Sequence, residues 1–221
     1  MKTIVCYGDS NTWGYMPQRE RPSTTAENRF PWGVRWTSQL QIALGADWHI
    51  VEAGVNGRTS VFEAPFEAHR NGAQHIDACL MAACPVDLVI LMLGTNDVKP
   101  YYAQNVYGIC QGIRSLAERI QNSHCGLMDN APKLLLVAPI RLNDAYRSGW
   151  LGAEFGPDAV ARSAAVSRGI EAIAAELHAF YLNASEYIEA DCADGIHMNA
   201  EGHARMADLI LDRVRDILAA P

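Results

Sequence analysis

The run Val86-Asp87-Leu88-Val89-Ile90-Leu91-Met92-Leu93 is almost unbroken hydrophobic sequence. Eight residues are too few for a typical helix, and alternation is missing, so the run reads as a strand covered on both faces. Lys133 to Ala138 repeats the pattern between Pro132 and Pro139. Buried strands of this kind belong to parallel sheets, whose crossovers place helices on both sides. The rest of the chain supplies them. Residues 2–7 read as a strand ending at Gly8, residues 33–44 as a helix stopped by Gly45, and Trp48-His49-Ile50-Val51 as a second strand. Helical spacing covers 73–83, 105–121, the Ala-rich 158–178 and 199–219, with a short last strand from Phe180 to Asn183. Five strands each followed by a helix predict an α/β fold: a flavodoxin-like three-layer α/β/α sandwich with a five-stranded parallel sheet. With no internal repeat, low-complexity tract or linker, 1–221 reads as one domain. The long connections 17–31 and 139–157 are candidate binding loops.

In such folds ligands gather beyond the C-terminal strand ends. Ser10, Gly57 and Asn96 all follow predicted strands. Ser10, in Gly8-Asp9-Ser10, opens a turn where its hydroxyl and local N–H groups can face a cleft. Asp9 beside it reads as structural. Asp194-Gly195-Ile196-His197 lies far downstream. A tight turn there sets the carboxylate against one imidazole nitrogen and frees the other for a serine, fixing the tautomer and stabilising the imidazolium. Asn96, in Gly94-Thr95-Asn96-Asp97, offers an amide donor to an oxyanion. Gly57 lets a backbone N–H approach a ligand closely. Each residue alone has an ordinary use as a cap, turn or loop residue. The sequence around Ser10 is not Gly-x-Ser-x-Gly, so the nucleophile elbow of α/β-hydrolases is absent. His203 reads as an exposed residue of the last helix. His197, Glu201 and His203 share a segment, but Asp194 already accounts for His197, so no metal site and no cofactor is expected.

The order of Tyr7-Gly8-Asp9-Ser10-Asn11-Thr12-Trp13-Gly14, Gly94-Thr95-Asn96-Asp97 and Asp194-Gly195-Ile196-His197 resembles the SGNH (GDSL) hydrolases. Their eponymous serine, glycine, asparagine and histidine match Ser10, Gly57, Asn96 and His197. Val34-Arg35-Trp36-Thr37 and Leu91-Met92-Leu93 add similarity to the bacterial arylesterase/acyltransferase group, some members of which perform perhydrolysis. The resemblance spans the chain and implies a flavodoxin-like fold. It also implies a serine esterase for small carboxylic esters: Ser10, Asp194 and His197 catalytic, with Ser10, Gly57 and Asn96 forming the oxyanion hole. Trp13, Tyr15, Tyr146, Trp150 and Phe155 are candidate pocket aromatics, of which Trp13, Tyr15 and the loop around Trp150 would build an apolar entrance that favours acyl transfer to small alcohols. A carbohydrate O-acetylesterase would use the same catalytic residues, and a catalytically silent binding protein could keep the fold.

Composition narrows the partners. The formal charge of −7 argues against nucleic acid and anionic membranes. Glu186, Glu189, Asp191 and Asp194, near the base, disfavour polyanionic substrates. No stretch approaches the roughly 18 apolar residues of a membrane span, and the N-terminus carries no targeting signal. Six cysteines without a C-x-x-C pair read as reduced, mostly buried thiols of a cytoplasmic protein. A homo-oligomer is compatible with the sequence, which does not fix the number of copies.

Overall fold

In the computed structural model, which describes residues 1–24 and 26–219, five strands form one all-parallel sheet in the order β2-β1-β3-β4-β5. The strands are β1 (Lys2–Gly8), β2 (Trp48–Gly54), β3 (Leu88–Met92), β4 (Lys133–Ala138) and β5 (Phe180–Asn183). The helices are α1 (Ser10–Trp13), α2 (Trp36–Leu44), α3 (Ile76–Ala83), α4 (Val106–Gln121), α5 (Gly152–Phe155), α6 (Ala159–Glu176) and α7 (Ala200–Ala219). The α/β/α sandwich predicted from the buried runs is the fold observed.

The two-residue period of each strand divides the core into two layers. Val5, Tyr7, Val89, Leu91, Leu134 and Leu136 face the layer shared with α3, α4 and α6. Ile4, Cys6, Leu88, Ile90, Leu135 and Val137 face α2 and α7. Burying each such side chain is worth about 1.5–3 kcal/mol, so the layers dominate stability. β3 is shorter than its apolar run. Val86 donates its N–H to the Cys125 carbonyl and so stands outside the sheet. Asp87 leads into the strand: its N–H donates to the Thr3 carbonyl, its own carbonyl accepts the Lys133 N–H, and its carboxylate accepts the Thr3 N–H at 2.7 Å. The 139–157 connection contains short helical turns, including α5.

Chain order reverses between β1 and β3, which places the crevice there. Gly8 pairs with Gly54 on one side and Met92 on the other. The segments carrying Ser10, Gly57 and Asn96 therefore leave the sheet at one level. No helix among the described residues is long and apolar enough to cross a membrane. The six cysteines are free: Cys6, Cys110 and Cys125 are buried, whereas Cys84 and Cys192 are exposed.

His203 is not on an exposed face. It is fully buried, and its Nδ1 accepts the N–H of Trp36, the first residue of α2, at 3.3 Å. A helix start needs an acceptor, and the Arg35 side chain provides none. Burial, with the nearby charges of His197 and Arg35, pushes the His203 pKa down to about 3. Between that value and the ordinary 6.5 or so, the unfolded chain holds a proton that the folded chain does not. Stability is therefore lost as pH falls through this window. Buried Asp97, pushed up to about 6, acts in the opposite sense over part of the same range, so wild type must be compared with a His203→Asn variant. The stability difference between them should shift by about 1.4 kcal/mol per pH unit between roughly pH 6 and 4, wild type losing ground. Denaturant melts at several pH values measure it; a constant difference refutes it.

Candidate active site

The turn after β1 is built to hold Ser10 rigidly. The Asp9 carboxylate accepts the Asn11 N–H at 3.0 Å and caps α1, whose other end stops at Gly14 in the left-handed region. Burial raises the Asp9 pKa against that bond and the opposing charge of His197. The Asn11 side chain then reaches across the site. Its amide donates to the Ile196 carbonyl at 3.2 Å and its oxygen accepts the Met198 N–H at 3.0 Å. The nucleophile turn and the His197 segment, 187 residues apart, are thereby clamped on both sides of His197. In the sequence, only its position beside Ser10 marks Asn11 for this role.

The clamp brings His197 Nε2 to 2.9 Å from Ser10 Oγ. His197 Nδ1 lies 2.7 Å from Asp194 Oδ2. The other Asp194 oxygen accepts the N–H groups of Ile196 and His197, each at 2.9 Å, and Gln18 adds an N–H to Oδ2 at 3.2 Å. Burial alone would raise the Asp194 pKa, but the His197 charge and these hydrogen bonds outweigh it and the net shift is downward. The carboxylate thus stays ionised well below neutral pH. Gly195 permits the turn: its φ is 71°, and a Cβ there would come within 2.5 Å of the Tyr146 nitrogen. The Tyr15 ring packs on the imidazole, centroids 4.4 Å apart.

Asn96 is buried, and its amide donates to the Arg58 carbonyl at 3.1 Å, which fixes its plane and leaves a second N–H for the cavity. Gly57 has a φ of 74°, where a side chain would be strained. Ser10, Gly57, Asn96 and His197 all line one cavity. Among the described residues, the backbone N–H groups of Ser10 and Gly57 donate to no other group.

Tyr15, Trp150 and Phe155 line the same cavity. Trp13 does not: its ring lies beneath the Arg29 guanidinium at 4.9 Å, and its backbone packs on Gly54. Tyr146 is fully buried, with its hydroxyl on the Gly156 carbonyl at 2.7 Å. Both are corrections to the expected aromatic pocket. The wall is also more charged than an apolar entrance would be. Arg21, Glu67, Arg70, Lys99 and Glu154 contribute to it. Lys99 pairs with Glu154 at 2.7 Å, Arg70 with Glu67 at 3.0 Å, and Arg21 lies over Trp150. These residues are scattered in sequence, so no local pattern announces them. No group of three or more His, Cys, Asp or Glu among the described residues could hold a metal ion. The arrangement can deprotonate a hydroxyl, hold the resulting imidazolium and donate to an oxyanion, which are the parts of acyl transfer through a serine ester.

Comparison with known proteins points the same way. A family model described as the GDSL-like lipase/acylhydrolase family matches residues 6–205. The native aryl esterase of M. smegmatis superposes with a TM-score of 0.91 at 32% identity, covering 98% of this chain and all of that one. A carbohydrate acetylesterase from Sinorhizobium meliloti gives 0.89 at 34% identity, again covering 98% of this chain and 100% of its own. An acetylxylan esterase from Xylanibacter ruminicola is 26% identical over 230 aligned positions. That alignment covers 96% of this chain but 43% of the relative, so the chain spans less than half the length of that curated protein.

Proposed function

The chain belongs to the GDSL-like lipase/acylhydrolase family and is a carboxylic ester hydrolase, and on that premise we propose that it cleaves small acetate-type esters through an acyl-serine at Ser10. The observation that supports this is the Asp194–His197–Ser10 chain, with spacings of 2.7 and 2.9 Å, opening on a cavity with three candidate oxyanion donors. Ser10 Oγ attacks the acyl carbon while His197 Nε2 takes its proton. The carbonyl oxygen, now an oxyanion, accepts hydrogen bonds from the Ser10 and Gly57 N–H groups and the Asn96 amide. His197 returns the proton to the leaving alcohol, and a water activated by the same imidazole releases the acid. Asp194 holds the imidazole in the tautomer that leaves Nε2 free to accept. No cofactor takes part in this sequence.

A second reading, hydrolysis of acetylated carbohydrates, is favoured by the charged wall. Arg21, Arg70, Lys99, Glu67 and Glu154 offer a polar alcohol portion more hydrogen-bonding groups than an aryl ring can use. The test is kcat/KM for an aryl acetate against acetylated monosaccharides and xylo-oligosaccharides, with Ser10→Ala as the blank. A marked preference for the sugar esters selects the second reading. Adding a primary alcohol to the aryl acetate assay tests acyl transfer. Ester product beyond bulk competition with water supports an acyltransferase, and its absence leaves a hydrolase.

Asn96→Ala should lower kcat by roughly 10²–10³, the usual effect of one oxyanion donor, with a smaller change in KM. The donor acts where charge develops, so its loss is felt mainly in the transition state. Steady-state kinetics beside a thermal melt decide the matter: a loss confined to stability would make Asn96 a turn residue only.

A further inference from the structure

The three proposed oxyanion donors come from three separate strand ends, and one short segment, Arg58 to Ser60, is tied to all of them. Arg58 directly follows Gly57, and its N–H donates to the Val55 carbonyl at 3.1 Å. Its guanidinium Nη1 donates to the Gly8 carbonyl at 2.9 Å, two residues before Ser10, and also to the Ala53 carbonyl. Its own carbonyl accepts the Asn96 amide. Two residues on, the N–H and hydroxyl of Ser60 both donate to the Asp97 carboxylate, the N–H at 2.9 Å. The strap is fastened from behind, where Gly72 and Ala73 donate to the Thr59 and Ser60 carbonyls at 3.1 and 3.0 Å.

Arg58, Ser60 and Asp97 are all buried. Neither Arg58 nor Asp97 has an oppositely charged partner at ion-pair distance among the described residues. Burying two charges without pairing them is costly, and a plain turn does not need them. Hydrogen bonds to charged groups are shorter and stronger than neutral ones. A site whose donors must meet one small oxygen gains from that stiffness, since a displacement of about 1 Å can cost roughly 10²-fold in rate.

We propose that Asp97 is a positioning residue: it holds the Arg58–Ser60 strap against the turn of Asn96, and so sets the spacing of the Asn96 and Gly57 donors without touching substrate. The inference rests on the serine esterase reading above. Its test is a set of kinetic cycles on an aryl acetate. Asp97→Ala should lower kcat by roughly 10- to 100-fold with KM within about threefold, and Asp97→Asn, which keeps an acceptor for Ser60, should recover part of the loss. Ser60→Ala keeps the backbone bond to Asp97 and should lower kcat several-fold even if Asp97→Ala folds poorly. In an Asn96→Ala background both losses should shrink markedly, because the donor being positioned is already gone. Equal factors in the two backgrounds, or changes in melting temperature with kcat intact, overturn the positioning role while leaving the esterase reading standing. A wild-type protein without Ser10-dependent turnover overturns both.

Discussion

Replacing Ser10 with Ala is expected to abolish turnover, with kcat falling on the order of 10⁴- to 10⁶-fold. The hydroxyl stands at the junction of the cavity and the imidazole, hydrogen-bonded to the base that would take its proton as it bonds to an acyl carbon. His197 is otherwise engaged, with Nδ1 on Asp194 and Nε2 on Ser10. Without Oγ, His197 could at best activate a water from the wrong position, and the residual rate would come from the oxyanion donors alone. The fold should be indifferent to the change. The Ser10 side chain makes its hydrogen bond to His197, and the Asp9 cap and Asn11 clamp do not depend on it. Intact-mass measurement after brief exposure to an aryl acetate or a phosphonate should show one adduct on wild type and none on the variant, with nearly equal melting temperatures. An adduct on the variant, or activity within tenfold of wild type, would remove Ser10 as nucleophile.

What the sequence discloses follows how local each cause is. β4 runs from Lys133 to Ala138, as its apolar run predicts, because burial on both faces leaves a signal in nearly every residue. β5 runs from Phe180 to Asn183 as expected, although as the edge strand it buries only Leu182. β2 continues past the expected Val51 to Gly54. Glu52 disguises it: a carboxylate inside a strand reads as an end. Here Arg35 donates to it at 3.1 and 2.8 Å and Thr37 adds its hydroxyl. Those contacts also explain why α2 begins at Trp36 and not at 33. Gly33 has a φ of 91°, and Arg35 is extended so that its side chain can reach Glu52.

The site divides in the same way. Ser10, Gly57, Asn96, Asp194 and His197 could be named because each follows a strand or sits in a short motif, and the structure brings all but Asp194 to the cavity wall, with Asp194 behind His197. The wall itself was illegible. Lys99 meets Glu154 across 55 residues, and no periodicity records that meeting. Trp13 and Tyr146 misled for a related reason, since an aromatic side chain suits a core as well as a pocket. The burial of His203 leaves no mark in the sequence, because it comes from α7 packing against the start of α2, a contact set by the third dimension alone.

Asp194→Asn should lower kcat at neutral pH by about 10⁴-fold, although the fold and the imidazole's position are kept. The reason lies in the two oxygens' separate duties. Oδ1 receives the N–H groups of Ile196 and His197, which must have an acceptor in this buried turn. The asparagine oxygen will take that place, turning its amide NH₂ toward His197 Nδ1. Two donors cannot face each other, so Nδ1 must become the acceptor and the imidazole proton must move to Nε2. Nε2 then donates to Ser10 Oγ and has no lone pair with which to take the serine proton. The negative charge that would stabilise the imidazolium is lost at the same time. Asp194→Ala should be inactive for a different reason and less stable as well, since it leaves the N–H groups of Ile196 and His197 without their carboxylate. Comparing kcat and melting temperature for the two variants separates a tautomer effect from collapse of the turn. An asparagine variant within tenfold of wild type would mean that the Asp194 carboxylate merely shapes the turn and that His197 finds its tautomer without it.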